Sequence, residues 1–146
     1  MNTNKINGIE VLTWQSYYDR HLVDVSQMQG LVVSKITVSP ENDWIEFVTA
    51  QGSFTLYHSQ DCCESVEIED IVGNLDDLIG VPLLLAEEVT SDENPLSQYD
   101  ESFTWTFYKF ATIKGYVDIR WYGTSNGYYS ESVDCKFVPN PDFVAS

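Results

Sequence analysis

The run FTWTFYKFATI, residues 103–113, followed after Lys114-Gly115 by YVDIRWY, residues 116–122, decides the fold. In the second run Val117, Ile119 and Trp121 alternate with Asp118, Arg120 and Tyr122. A period of two places the apolar set on one face of a strand and the polar set on the other, whereas a helix would scatter both around its circumference. Lys114-Gly115 supplies the chemistry of a tight turn between the two runs. A third run, Tyr128 to Phe137, follows the Gly123 to Gly127 connector, so the C-terminal third reads as a three-stranded meander.

The same period extends towards the N-terminus. Leu31 to Val38 is a β-branched run ended by Ser39-Pro40, a turn signal. Asp43 to Thr49 and Ser53 to His58 flank Ala50-Gln51-Gly52 as the arms of a hairpin. In Val66 to Ile71, Val66 and Ile68 face inward and Glu67 and Glu69 outward. A short helix is expected near residues 74–79, capped by Asn74 and ended by Gly80 and Pro82. Leu83 to Val89 is a further strand, and Thr90 to Glu101, acidic and Pro-containing, is a surface loop. At the N-terminus Ile9 to Trp14 suits a short strand. Ser16 to Gln29, with Tyr17, Tyr18, His21, Leu22, Val25 and Met28 at three- and four-residue spacings, suits an amphipathic helix. The fold class that follows is α+β: a β-rich, twisted, mainly antiparallel sheet with one short helix and a helical N-terminal lead-in. The chain divides into a lead-in (1–29), a single β-rich domain (30–138) and a tail (139–146).

The 146 residues fit one domain, and 43% hydrophobic with 14% aromatic content is ample for a core. The formal net charge is −16, from 23 acids against seven bases. Thirteen of the acids lie between Asp61 and Glu101 with no Lys or Arg among them, while Lys109, Lys114, Arg120 and Lys136 fall in the last 40 residues. Such a charge disfavours direct nucleic-acid binding, which rests on phosphate neutralisation, and disfavours anionic membranes; it favours a basic partner. Residues 1–14 hold no continuous apolar run and no stretch approaches roughly 18 apolar residues, so neither a signal peptide nor a membrane span is expected. Cys62 and Cys63 are adjacent and the third cysteine leaves an odd number. Neighbours in a strand point to opposite faces, so the expectation is free thiols in a reducing cytoplasm.

Five segments carry a resemblance: Gln60-Asp61-Cys62-Cys63-Glu64-Ser65-Val66, Asp70 to Leu75, Trp105-Thr106-Phe107-Tyr108, Ile119 to Gly123, and Ser125-Asn126-Gly127-Tyr128-Tyr129-Ser130. Over roughly residues 30–137 the chain resembles an uncharacterised domain family carried largely by bacteriophages and prophages. The resemblance implies a setting, a small accessory protein acting in a host cytoplasm for counter-defence or host takeover, and implies no catalytic residue.

Two clusters stand out as candidate sites. Trp105, Tyr108, Lys109, Arg120, Tyr122, Ser125, Asn126 and Tyr128, with Tyr129 beside them, bring aromatic faces next to cations and loop hydroxyls; such groups stack on a base and meet a phosphate. The secondary cluster is His58, Asp61, Cys62, Cys63 and Glu64. Its spacing is poor for zinc, and its acids raise rather than lower a thiol pKa, so no metal, no cofactor and no catalytic residue is expected. The leading expectation is a stoichiometric binder that sequesters a small anionic, nucleotide-like ligand without catalysis. The alternatives are an acidic nucleic-acid mimic that occupies a basic host protein, and a small hydrolase built on the second cluster. An aromatic-rich sheet also suits pairing with a second copy.

Overall fold

The long hairpin of residues 103–122 forms the centre of a four-stranded sheet in the computed structural model of the chain, which describes residues 5–12 and 21–144. Among the described residues the strands are, in chain order, β1 (Lys5–Ile6), β2 (Ile9–Glu10), β3 (His21–Leu22), β4 (Val33–Val38), β5 (Trp44–Thr49), β6 (Gly52–Tyr57), β7 (Ser65–Val72), β8 (Leu85–Ser91), β9 (Ser102–Thr112), β10 (Gly115–Ser125) and β11 (Asp134–Pro139). They build a four-stranded sheet in the order β7-β10-β9-β8, a five-stranded sheet in the order β3-β11-β6-β5-β4, and the small hairpin β1-β2. Every strand pair is antiparallel.

The two larger sheets face each other because each has one apolar side. Tyr108 and Phe110 of β9 and Val117, Ile119 and Trp121 of β10 are buried on one; Ile45, Phe47, Phe54, Leu56 and Phe137 are buried on the other. Phe47 meets Phe110 across the interface with ring centroids 5.1 Å apart, and Phe54 and Phe137, paired in register, sit 4.8 Å apart within the five-stranded sheet. Full burial of such side chains stabilises the fold by about 2–3 kcal/mol each before conformational entropy is subtracted.

Three expectations are corrected. The run Tyr128 to Phe137 does not complete a meander: β10 already has β9 on one side and β7 on the other, so it offers no free edge, and β11 crosses to the opposite sheet to pair with β6 and β3. The helix near residues 74–79 is a single 3-10 turn, Leu75–Leu78, although Asn74 does cap it, its Oδ1 accepting from the Asp76 amide at 3.0 Å. The helical lead-in is not found. Residues 13–20 lie outside the described residues; beyond them His21, Val23 and Val25 are buried in strand-like alternation, His21–Leu22 pairs with β11, and only a 3-10 turn, Val25–Met28, follows. His21, Val23 and Val25 are also spaced by two, and the pairing of His21–Leu22 with β11 uses that period. No described helix is long and apolar enough to cross a membrane. Ile9, Val11, Val23, Val25 and Met28 share one core cluster with the two sheets.

Candidate functional site

The chain changes sheets at two corners on the same end of the sandwich: residues 58–64 lead from β6 to β7, and residues 126–133 lead from β10 to β11. One hydrogen-bonded knot ties these corners. His58 Nε2 lies 2.7 Å from Glu64 Oε2, and His58 Nδ1 lies 2.7 Å from the Ser132 carbonyl oxygen. Glu64, buried, also accepts from the amides of Asp61 and Cys62 at 2.8 Å each. Burial opposes ionisation of this carboxyl, but the Asp61 amide, His58 and the Cys62 amide outweigh it and hold the pKa down at about 2. Gln60 Nε2 donates to the carbonyls of Cys62 and Glu64 at 3.2 and 2.6 Å, closing the bend. A carboxylate so fully occupied is a clamp, which is a poor state for a catalytic acid or base.

Inside this bend the sulfurs of Cys62 and Cys63 are bonded to each other. Free thiols pointing to opposite faces had been expected, on the premise that the pair lies in a strand. The premise fails: the strand begins at Ser65, and residues 62–63 form a bend in which neighbouring side chains approach. Both cysteines are exposed, while Cys135 is buried and free, its thiol pushed up by burial and by the Asp24, Glu88 and Asp134 carboxylates.

Cys63 and Glu64 form one wall of a cleft of about 320 Å³; Tyr99, Asp100 and Glu101 of the β8–β9 loop and Thr124 to Asn126 with Tyr129 of the β10–β11 corner form the others. The loop is anchored by Tyr122, whose hydroxyl donates to Asp100 Oδ2 at 2.5 Å and accepts from the Leu96 amide at 3.1 Å, and by Trp105, whose Nε1 donates to the Asn94 carbonyl at 3.0 Å. The other corner is anchored by Glu131, buried, which accepts from Thr104 Oγ1 at 2.8 Å and Ser125 Oγ at 2.5 Å. Gly123 permits this approach, since a Cβ there would lie 2.9 Å from the Glu131 carbonyl oxygen. The three segments around the cleft fall inside two stretches, residues 36–108 and 121–135, that contain no Lys or Arg. Among the described residues, this end of the sandwich is therefore acidic and aromatic, with no Lys or Arg in the three segments around the cleft.

The residues singled out from sequence are distributed over several places. Trp105, Arg120 and Phe107 line an outer cavity of about 220 Å³ with Ser91, Glu93 and Asn94. Trp105 stacks on Phe107 at 7° between planes and tilts against Tyr122 at 4.6 Å between centroids. Arg120 Nε is 4.0 Å from Asp118 Oδ2 and faces Asp70 in register. Lys109 pairs in register with Asp118 on one side and Glu87 on the other. Ser125 and Asn126 line the acidic cleft; Asn126 Oδ1 accepts from the Tyr128 amide at 3.0 Å, and Ser125 Oγ accepts from the Gly127 amide at 3.0 Å. Tyr128 is exposed at the corner, edge-on to Tyr129. Tyr108 points the other way, into the sandwich. In the second cluster His58, Cys63 and Glu64 come together with the amide of Asp61, as described.

A third group was invisible in the sequence. Glu88, Asp134, Asp24, Tyr108 and Cys135 border a cavity of about 180 Å³ between the sheets. Tyr108 Oη donates towards Glu88 Oε1 and the Val133 carbonyl oxygen, each at 3.3 Å. Burial raises the Glu88 pKa against the lowering effect of the Tyr108 hydrogen bond, and Asp24 and Asp134 add to the rise; burial likewise raises Asp134. Glu87 and Glu88 look alike in the sequence, yet adjacent strand residues take opposite faces, and Glu88 sits opposite the buried Tyr108. That register is the signal that would have found it.

A model of one protein family, described as a domain of unknown function, DUF7448, matches residues 5–135. No curated protein and no solved structure matches the chain.

Proposed function

The chain belongs to the DUF7448 family, and we propose that it is a stoichiometric, non-catalytic binding protein whose acidic, tyrosine-lined end engages a basic protein. The observation that carries this reading is the cleft between the two corners and the β8–β9 loop, where Asp100 and Glu101 stand with Tyr99 and Tyr129 and no Lys or Arg lines the wall. Carboxylates attract guanidinium and ammonium groups, and tyrosine faces add cation–π attraction once water is excluded. A surface of this kind imitates the charge of nucleic acid. The resemblance to phage- and prophage-borne domains supports a host protein as the target and the host cytoplasm as the place of action.

The test uses hexa-arginine as a defined probe and 15N-labelled protein. Shift changes concentrated at Cys63, Tyr99 to Glu101 and Thr124 to Tyr129 support the reading. Affinity should fall about tenfold in Glu101→Gln and in Tyr129→Ala and decline steeply with salt. Removing one of 23 carboxylates should hardly matter if the peptide instead coats the whole surface; equal affinity of the variants and the parent chain overturns the proposal.

A second reading keeps the small anionic ligand. Its support is Arg120 beside the parallel Trp105 and Phe107 rings on one cavity wall, a place for one stacked base with its phosphate outside. Retention of a nucleotide by the parent chain and its loss in Arg120→Ala, with hexa-arginine binding unchanged, would favour this reading.

A further inference from the structure

The chemistry of the paired sulfurs is independent of any partner in the cleft. Three observations bear on it. Both residues are exposed and Cys63 forms part of the cleft wall, so a solute reaches the bond without unfolding the chain. The bend is held by contacts that do not involve sulfur: Glu64 with the Asp61 and Cys62 amides, Gln60 with the Cys62 and Glu64 carbonyls, and His58 with Glu64. These persist when the sulfurs part and keep two thiols side by side, the arrangement that favours reclosure by proximity. Finally, the surroundings are rich in carboxylates, with Asp100 and Glu101 on the cleft, Glu131 behind Ser125 and Asp61 next to Cys62 in the chain, and no Lys or Arg lines the cleft.

We propose that Cys62–Cys63 is a reversible two-electron redox site on the cleft wall, and that its acidic surroundings select cationic thiols over anionic ones as reductants. A reductant thiolate attacks Cys63 Sγ, the sulfur on the cleft wall. The Cys62–Cys63 bond breaks, Cys62 leaves as a thiolate and takes a proton from water, and a mixed disulfide joins Cys63 to the reductant. A second thiolate, from the same dithiol or from another monothiol, attacks the reductant's sulfur; Cys63 departs as a thiolate and is protonated. The pair gains two electrons and two protons, and the reductant is oxidised to its disulfide. Negative charge spreads over three sulfurs in each transition state. The carboxylates destabilise it, and a cation on the reductant offsets them. The same carboxylates disfavour a free thiolate on the protein, so the pair accepts electrons rather than acting as an attacking nucleophile. Where disulfides occur in reducing compartments they are commonly transient and redox-sensing, which is the behaviour assigned here.

The test counts alkyl groups by intact mass after iodoacetamide treatment of the folded protein. Protein purified without thiols should take none, since Cys135 is buried; after reduction it should take two, and hydroxyethyl disulfide should return the count to none. Reduction rates, corrected to the thiolate of each reagent, should follow cysteamine, then 2-mercaptoethanol, then 2-mercaptoethanesulfonate. The extremes should differ about tenfold or more at low salt and converge near 1 M salt, where the screening length falls to about 3 Å. Cys62→Ser, with one unpaired exposed sulfur, should take one label without any reductant. Two labels on untreated parent protein would overturn the bond as a resting state; equal per-thiolate rates at low salt would overturn the charge selection.

Discussion

His58 stands between two acceptors, the Glu64 carboxylate at its Nε2 and the Ser132 carbonyl oxygen at its Nδ1, each at 2.7 Å. These two contacts, separated by six residues on one side and 74 on the other, join the two corners at which the chain passes between sheets. Removing either partner leaves the other in a site built for it, which makes the loss non-additive. His58→Ala and Glu64→Gln should each lower the melting temperature, and the double variant should melt within about 2 °C of the worse single one. A thermal double-mutant cycle checks this; additive losses would mean that the contact carries no coupling.

Acid should act on stability in two opposite stages. Glu64 has a folded pKa of about 2 against an ordinary 4.5, so its contribution is complete above 4.5 and is lost as pH falls towards 2. Glu88 and Asp134 are shifted upward, so the folded state gains relative stability as they take up protons on the way down to their ordinary values of 4.5 and 3.8. Denaturant midpoints should therefore rise slightly as pH falls towards the ordinary carboxylate values and drop as it falls on from 4.5 towards 2. The rise should shrink in Glu88→Gln, leaving the part that Asp134 contributes.

Tyr122 holds the β8–β9 loop through Asp100 and the Leu96 amide. Tyr122→Phe removes both contacts while leaving the ring against Trp105 and Phe103. The expected cost is about 1 kcal/mol. Hydrogen exchange should speed up across residues 92–101 and remain slow in β9 and β10; acceleration across the whole sheet would show that the hydroxyl supports more than the loop.

Gly123 admits Glu131 to the four-stranded sheet. A Cβ there would meet the Glu131 carbonyl oxygen at 2.9 Å, its Cβ at 3.0 Å and Val66 Cγ2 at 3.1 Å. Gly123→Ala should cost about 1–3 kcal/mol by overpacking, and should release Ser125 from Glu131. Chemical denaturation and the amide shifts of residues 125–131 test both parts; an unchanged midpoint would mean that the corner yields without strain.

The alternation of Val117, Ile119 and Trp121 with Asp118, Arg120 and Tyr122 was enough to establish a strand, its buried face and its hairpin partner, because a period of two is a property of local backbone geometry. The Ala50-Gln51-Gly52 hairpin and the Asn74 cap were legible for the same reason, and the concentration of acids from Asp61 to Glu101 needed only counting. Composition and local pattern thus specified a β-rich, strongly acidic domain. They were silent on which sheet receives β11, on whether residues 62–63 lie in a strand or a bend, and on which of Glu87 and Glu88 faces inward. Those outcomes depend on free sheet edges, on register and on the meeting of segments far apart in the chain. Only the folded arrangement brings His58 to Ser132 and gathers Tyr99, Asp100 and Tyr129 around Cys63, since each contact joins groups whose proximity no local preference encodes.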